Sequence, residues 1–505
     1  MERENAWKKY GEDDIRQMEI LCENYKSFMT RAKTERECVR LIMEIARGSG
    51  YITLDEARAK GKKLAAGDCV MADYMGKSLA LFQIGEEPFE KGMNILGAHM
   101  DSPRLDLKQN PLYEDNGLAL LDTHYYGGIK KYQWVAMPLS MHGVVIRRDG
   151  SKLEVCIGED PSDPVFVITD LLIHLASDQM DKKGRFVVEG EDLNLLVGNR
   201  PAVEEKESTD IAEAADDTAA DGAAVLSQAD GAAENKDNKG KKDNKGNIDK
   251  KDKDAVRDNI LAILKDMYDI EEEDFVSAEL EIVPAGPARD CGIDRSMVMA
   301  YGQDDRICVY TSLDAMMKAE KLKKTCACIF VDKEEIGSVG ATGMHSRFFE
   351  NTLAEVMELA GQYTEIGLRR ALANSRMLSS DVSAGFDPNY PSVFEKKNTA
   401  FLGRGVVFNK YNGARGKSGS NDASAEYMGA VRKIMNDNNV TWQTAEIGKV
   451  DKGGGGTIAY IMGNYGMEVI DCGIAVLNMH APFEISSKAD IYEGRKCYSA
   501  FLKDA

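Results

Sequence analysis

The stretch KKTCACIFVDKEEIGSVGATG, residues 323–343, limits this chain more than any other. Residues 325–331 are apolar and β-prone enough to form a buried strand of a mostly parallel sheet. That strand stops at Asp332, and two adjacent acids follow, Glu334 and Glu335. Gly337, Gly340 and Gly343 then punctuate a turn where backbone can approach a ligand closely. Open α/β sheets bind ligands just beyond the carboxyl ends of their strands, which is where these acids fall. Two neighbouring carboxylates in a dry cleft resist joint ionisation unless a cation compensates them. A metal site accounts for the pair; a solvated acidic turn is the competing reading of this stretch taken alone.

At 505 residues the chain has room for two or three domains with a substantial core. A formal net charge of −20 argues against a nucleic-acid or anionic-membrane surface. No run approaches the ~20 apolar residues of a membrane span. The amino-terminal MERENAWKKYGEDD lacks the apolar core of a secretory signal, so a cytoplasmic location is expected. The ten cysteines are scattered, several (Cys326, Cys328, Cys472) inside apolar runs, as reduced core thiols are rather than a disulfide framework. Cys326 and Cys328 have no second pair at zinc-finger spacing, so they read as packing residues.

In chain order, residues 14–47 carry the periodicity of a surface helix pair, and 55–66 is expected to be another helix. The period changes after Val70, where SLALFQIG and NILGAHMDSP read as strands. Two residues apart on a strand, His99 and Asp101 share a face. Residues 108–197 are strand-rich with a helix expected over 170–177, and the lone His124, His142 and His174 are given no metal role. Residues 203–253 are low-complexity and almost free of large apolar side chains, the composition of a disordered insertion. Further on, a Gly-Gln-Asp-Asp-Arg turn feeds what reads as an amphipathic helix, and helix and strand then alternate to a final helix at 489–502. The expected fold is α/β, a mixed sheet with helices on both faces.

Five places fall at predicted strand ends or at turns into helices: His99 with Asp101, Asp304 with Asp305, Glu334 with Glu335, Asp381, and His480. Two histidines with several carboxylates form the ligand set of a dinuclear site for divalent ions, most often zinc, with cobalt or manganese as alternatives. Asp101 suits a carboxylate that orients a ligating imidazole. Two glycine-rich loops, 452–457 and 413–418, look like phosphate loops. A Walker A loop, however, needs glycine where Tyr411 stands, so both are read as bringing backbone N–H groups to a substrate or metal-bound oxygen. No Gly-x-Ser-x-Gly elbow presents a serine nucleophile.

GAHMDSPRLDLK, GQDDRICVYTSL, VDKEEIGS, SSDVSAGFDPNYP and LNMHAPFE, in this order, resemble the aspartyl aminopeptidase and vacuolar aminopeptidase I family, over nearly the whole chain outside 203–253. The resemblance implies a zinc-peptidase-like domain in two parts, 1–105 and 285–505, interrupted by a β-rich dimerisation or lid domain, 106–284. It also implies a dodecameric homo-oligomer that removes single residues from peptides with a free amino terminus using two metal ions. By it, His99, Glu335, Asp381 and His480 are terminal ligands and Asp304 the bridging one. Glu334 becomes the catalytic base, Asp101 the residue orienting His99, and Lys410 a substrate contact. Three departures follow. Asp305 replaces the family's usual Asn, and the loop 379–391 lacks the histidines of acid-selective members. Asp170 aligns where a neighbouring subunit supplies a histidine to the substrate pocket. Strict selectivity for acidic residues is therefore expected to be relaxed. The alternatives are a related dinuclear carboxypeptidase or N-deacylase, and a non-catalytic assembly protein or scaffold.

Overall fold

A computed structural model describes residues 4–202, 254–413 and 416–505; the low-complexity insertion at 203–253 lies outside the described residues. The framework is a nine-stranded sheet of β1 (Ile52–Thr53), β2 (Cys69–Tyr74), β3 (Ser78–Gln83), β4 (Asn94–His99), β5 (Cys326–Val331), β6 (Arg376–Ser380), β7 (Val406–Asn409), β8 (Trp442–Thr444) and β9 (Glu468–Gly473). Their spatial order is β1-β2-β3-β5-β4-β6-β9-β7-β8. The central four, β5, β4, β6 and β9, run parallel, and antiparallel pairs flank them. The sheet is mixed and helices cover both faces, as the sequence led us to expect.

Alternate residues of the strands feed two cores, because a strand's side chains point to opposite faces. Leu96, Ala98, Cys328 and Phe330 pack with residues of helices Glu12–Arg31, Glu35–Gly48, Gln303–Met317, Ala425–Asp437 and Lys488–Asp504. Ile95, Ala327, Ile329 and Val331 pack on the opposite side with those of Phe348–Leu359, Glu365–Ala373 and Ala459–Gly463. Burial on both faces explains why residues 325–331 carry no polar alternation.

A second, seven-stranded sheet runs Lys152–Ile157, Leu139–Ile146, Ala278–Pro284, Arg104–Asp115, Leu118–Tyr126, Leu195–Gly198 and Val167–Ile168, and has its own core. A third, smaller sheet orders Arg289–Cys291, Met297–Ala300, Glu484–Ser487, Ala475–Leu477 and Ser383–Ala384. It ties together three segments that are far apart in sequence.

Three expected elements differ. The helix expected over 55–66 is Leu54–Ala59 only. Gly61 adopts φ 58° and donates its N–H to Arg58, while Lys62 donates to Ala57, the paired bonds of a Schellman stop. The helix expected over 170–177 is a 3-10 turn, Ile173–Leu175, followed by Ser177–Met180. Leu171, Leu172, Ile173 and Leu175 are 47–69% exposed, so no buried face within the chain supports a longer helix. The helix expected to be amphipathic, Gln303–Met317, is buried almost throughout. It lies between the sheet and the carboxy-terminal helix, and Arg306 donates from Nε to the Gly302 carbonyl and from Nη1 to that of Ala32, while its Nη2 is buried without a hydrogen-bond partner. All ten cysteines are unpaired, seven of them buried.

Candidate functional site

The site forms at the carboxyl ends of the parallel strands. His99 is the last residue of β4, Asp381 follows the last residue of β6, and Glu334 and Glu335 lie in the turn after β5. Asp304 and His480 arrive from the third sheet. Met297–Ala300 pairs with Glu484–Ser487, whose hairpin partner Ala475–Leu477 leads into His480, while Ala300 leads into Asp304. Glu484 sits at that junction and accepts the main-chain N–H of Asp304 at 2.9 Å on one oxygen and that of His480 at 2.8 Å on the other. His480 holds φ 65°, a left-handed conformation uncommon away from glycine.

Seven of the nine expected site residues converge. Asp304 turns Oδ1 to His99 Nε2 and Oδ2 to His480 Nε2, each at 3.3 Å. Asp381 lies 3.9 Å from His99 Nε2, and Glu335 lies 3.4 Å from His480 Nε2. Zinc with ligand bonds of about 2.0–2.2 Å and tetrahedral angles places its ligand atoms about 3.4 Å apart. These spacings suit ions beside His99, Asp304 and Asp381 and beside His480, Asp304 and Glu335, and His99, Asp304 and Glu335 also form a group whose ligand atoms all lie within 4.8 Å of one another. Asp304 Oδ1 is buried without a hydrogen-bond partner, as an atom kept for a metal should be. His99 also lies with Asp305 and Asp381 in a group whose ligand atoms are all within 4.8 Å, and both buried Asp305 oxygens lack partners.

The ring nitrogens away from Asp304 are engaged. His99 Nδ1 meets the Asp101 carbonyl at 3.0 Å and its carboxylate at 3.4 Å. His480 Nδ1 meets the Gly128 carbonyl at 2.9 Å. Donating from Nδ1 leaves Nε2 as the free lone pair on each ring. Asp101 does more than face His99, because its two oxygens accept the N–H groups of Glu334 and Glu335, each at 3.1 Å.

The electrostatics are those of crowded acids. Removal from water pushes Glu334 up to about 7, with His99 and His480 pulling against Asp101 and Asp304. Glu335 and Asp381 rise well above the ordinary carboxylate range through the same loss of water and the charge of Asp304. Asp304 is held below that range despite burial, because His480 and His99 contact it. His480 reaches about 10: burial lowers it, but Asp304 and Glu335 more than reverse that.

The site opens into a cavity of about 360 Å³ whose walls include Asn409, Asn412, Ile447, Gly454, Gly455, Gly456 and Asp471. The glycine loop 452–457 thus reaches the site as expected. Lys410 does not line the cavity; its ammonium pairs with Asp422 at 2.6 Å and is 42% exposed. Asp170 is exposed and accepts from Gln179 Nε2 at 3.0 Å, away from the cavity. The sequence reading missed Glu484, Asp471, Tyr126 and Gly128. Glu484 lies inside the quoted LNMHAPFE motif four residues after His480, so a signal existed for it, whereas the others had none. His142 is not lone: it meets Glu37 at 2.9 Å and Glu159 at 3.2 Å, and Cys156 completes a potential ligand group. Lys33, 2.5 Å from Glu159, already supplies a cation there.

Comparison with known proteins shows the family of the chain. The family model described as "Aminopeptidase I zinc metalloprotease (M18)" matches residues 28–502. The "Probable M18 family aminopeptidase 1" of Clostridium acetobutylicum is 56% identical over 503 residues, covering 100% of this chain and 98% of that protein. The crystal structure of an M18-family aminopeptidase from Thermotoga maritima superposes with a TM-score of 0.86 at 41% identity, covering 100% of both chains. The yeast mApe1 dodecamer shares the fold at a TM-score of 0.69 and 18% identity, covering 96% of this chain and 97% of that one.

Proposed function

This chain belongs to the aminopeptidase I zinc metalloprotease family (M18), metallopeptidases that remove amino-terminal residues, and from that premise we propose how its own residues divide the work. His99 and Asp381 would hold one zinc ion and His480 and Glu335 the other, with Asp304, which faces both imidazoles, available to each. When bound, such a pair acidifies water and polarises the scissile carbonyl. Glu334 takes the water's proton and later delivers it to the departing amine, general base and then general acid. Asp101 holds His99 and the backbone of Glu334 and Glu335 in register. The single observation that supports this most strongly is Asp304, whose two oxygens each face a different imidazole at 3.3 Å. The carboxypeptidase, deacylase and scaffold readings give way to the family assignment.

Among the described residues, the cavity walls carry five acids and, apart from His480, no cationic side chain. Beyond the zinc ions that three of these acids would hold, an acidic amino-terminal residue meets no described lysine or arginine there, which supports acceptance of neutral and basic residues. Lys410 is proposed as a substrate contact, and Asp170 as a residue that reaches the substrate pocket of a neighbouring subunit. That assembly is a homo-oligomer, with a dodecamer as its full form, through the sheet-bearing domain at 106–284 set between peptidase segments 1–105 and 285–505. The reading includes a cytoplasmic location; among the described residues no helix is long and apolar enough to cross a membrane.

Glu334→Gln tests the assignment. Turnover is expected to fall by about 10²–10⁴, the usual contribution of a positioned acid–base, with two zinc ions still bound per chain. Unchanged turnover would show that another group is the base. Release from Asp-, Leu- and Lys-terminal dipeptides tests selectivity, and a clear preference for Asp would overturn the relaxed reading.

A further inference from the structure

We propose that Tyr126, together with the carbonyl of Gly128, is a positioning device through which the seven-stranded sheet sets the metal-binding geometry of both ions. The inference rests on the ligand assignment above but concerns residues outside it. Tyr126 ends the strand Leu118–Tyr126, in a sheet whose core is separate from those of the nine-stranded sheet. Its phenol donates to Asp101 Oδ2 at 2.8 Å. The same oxygen accepts Glu335 N–H, and its partner oxygen accepts Glu334 N–H. One hydroxyl therefore touches the acid that aligns His99, the proposed base and a ligand of the second ion. Two residues on, the Gly128 carbonyl accepts from His480 Nδ1 at 2.9 Å. Both imidazoles thus have their far nitrogens set by this short segment, His480 directly and His99 through Asp101.

The segment is itself held. The Arg104 guanidinium lies 4.0 Å from the centre of the Tyr126 ring, and Arg104 in turn contacts Asp106 at 2.8 Å and Glu281 at 3.2 Å. Glu35 adds a longer contact at 3.5 Å from helix Glu35–Gly48. A charged, buried clasp of this kind fixes geometry better than it adds stability. Gly127, at φ 73°, has room for no side chain without pressing on Glu335, since a Cβ there would lie 3.3 Å from the Glu335 Cβ. A Cβ on Gly128 would lie 3.3 Å from His480 Nδ1. The backbone here runs close enough to the ligands that a Cβ would crowd them, and it comes from outside the peptidase sheet.

Tyr126→Phe removes the hydroxyl and keeps the ring on Arg104. Tyr113→Phe, in the same sheet, is the control: its hydroxyl accepts from Asn194 at 2.9 Å and does not line the cavity. Zinc affinity of the full chain is measured by chelator competition, the ligand field by absorption of the cobalt-loaded protein, and stability by melting the metal-free chain. Y126F is expected to bind zinc about 10-fold more weakly, the low end for losing a partner of a ligating imidazole, and to shift the cobalt spectrum. Its metal-free melt should match that of Y113F. Wild-type affinity and spectrum in Y126F overturn the inference, and so does a metal-free melt well below that of Y113F, which marks a merely structural role. A wild-type chain that does not bind two zinc ions overturns the ligand assignment and this inference with it, an outcome visible before any variant is made.

Discussion

Glu484 makes the most quantitative claim about how the site is held. Its oxygens are taken by the N–H groups of Asp304 at 2.9 Å and His480 at 2.8 Å, which fixes the backbone of the proposed bridging ligand and of a proposed terminal one. Glu484→Gln keeps the shape but has a single acceptor oxygen, so one buried N–H must face an amide N–H₂. A buried donor left without a partner costs about 1–3 kcal/mol. At 1.36 kcal/mol per tenfold change, that is about 5- to 150-fold in an equilibrium constant if it falls wholly on metal binding. Part of the cost is already present in the metal-free chain, because the same N–H is unpaired there. A loss of about tenfold in zinc affinity is therefore expected, with a small drop in the metal-free melting temperature. Chelator competition on wild-type and E484Q protein measures the first, and calorimetry of the stripped proteins the second. The reasoning fails if E484Q binds zinc with wild-type affinity, because the brace would then have no hold on Asp304 or His480. It fails equally if the whole effect lies in the metal-free melt.

Three further outcomes follow from contacts already described. Asp304→Asn leaves one carboxamide oxygen to serve two ions, so metal analysis should find about one tightly held zinc per chain in place of two, with turnover largely lost. Gly128→Ala places a Cβ 3.3 Å from His480 Nδ1, so zinc binding at the His480 side should weaken while the melt of the metal-free chain changes little; unaltered affinity would show that the ring can move aside. Glu159 is held down to about 2 by His142 and Lys33 against the opposing effect of burial, and His142 is raised to about 11 by Cys156, Glu159 and Glu37 against the same effect. A depressed carboxyl contributes stability above its unfolded value of about 4.3 that is lost as pH falls toward 2, and a raised imidazole contributes stability below about 6.5 that is lost as pH rises toward 11. Melting temperature should therefore decline on both sides of neutrality, and Glu159→Gln should flatten the acid limb; an acid limb as steep as wild type would refute that.

What was legible in the sequence was whatever a strand writes locally. The run after Thr325 declares a strand buried on both faces, and the acids that follow it fall where a parallel strand must end, so Glu334 and Glu335 could be placed from residues alone. His99 at the end of β4 was readable in the same way. The helix over 170–177 was not, because its apolar pattern is real but has nothing among the described residues to bury against. Periodicity reports an apolar face and never says what covers it. Gln303–Met317 failed in the opposite sense, since charged residues suggested a wet face that Arg306 and the acids instead spend on buried backbone and on the site.

The residues that hold the site were the least legible, and for a common reason. Glu484, Tyr126 and Gly128 act through one or two hydrogen bonds each, most of them between residues far apart in sequence, and two of the three bond through or to main chain, where residue identity carries almost no signal. A ligand must be a histidine or a carboxylate, so chemistry restricts the search; a brace needs only one donor or acceptor at the right place. The three sheets resolve this. The nine-stranded sheet presents His99, Glu335 and Asp381 at strand ends, and the five-stranded sheet brings Asp304 beside His480. The seven-stranded sheet reaches over with Tyr126 and Gly128 to set both imidazoles. Because each sheet supplies something the others lack, a change in how they sit against one another must register first in metal affinity.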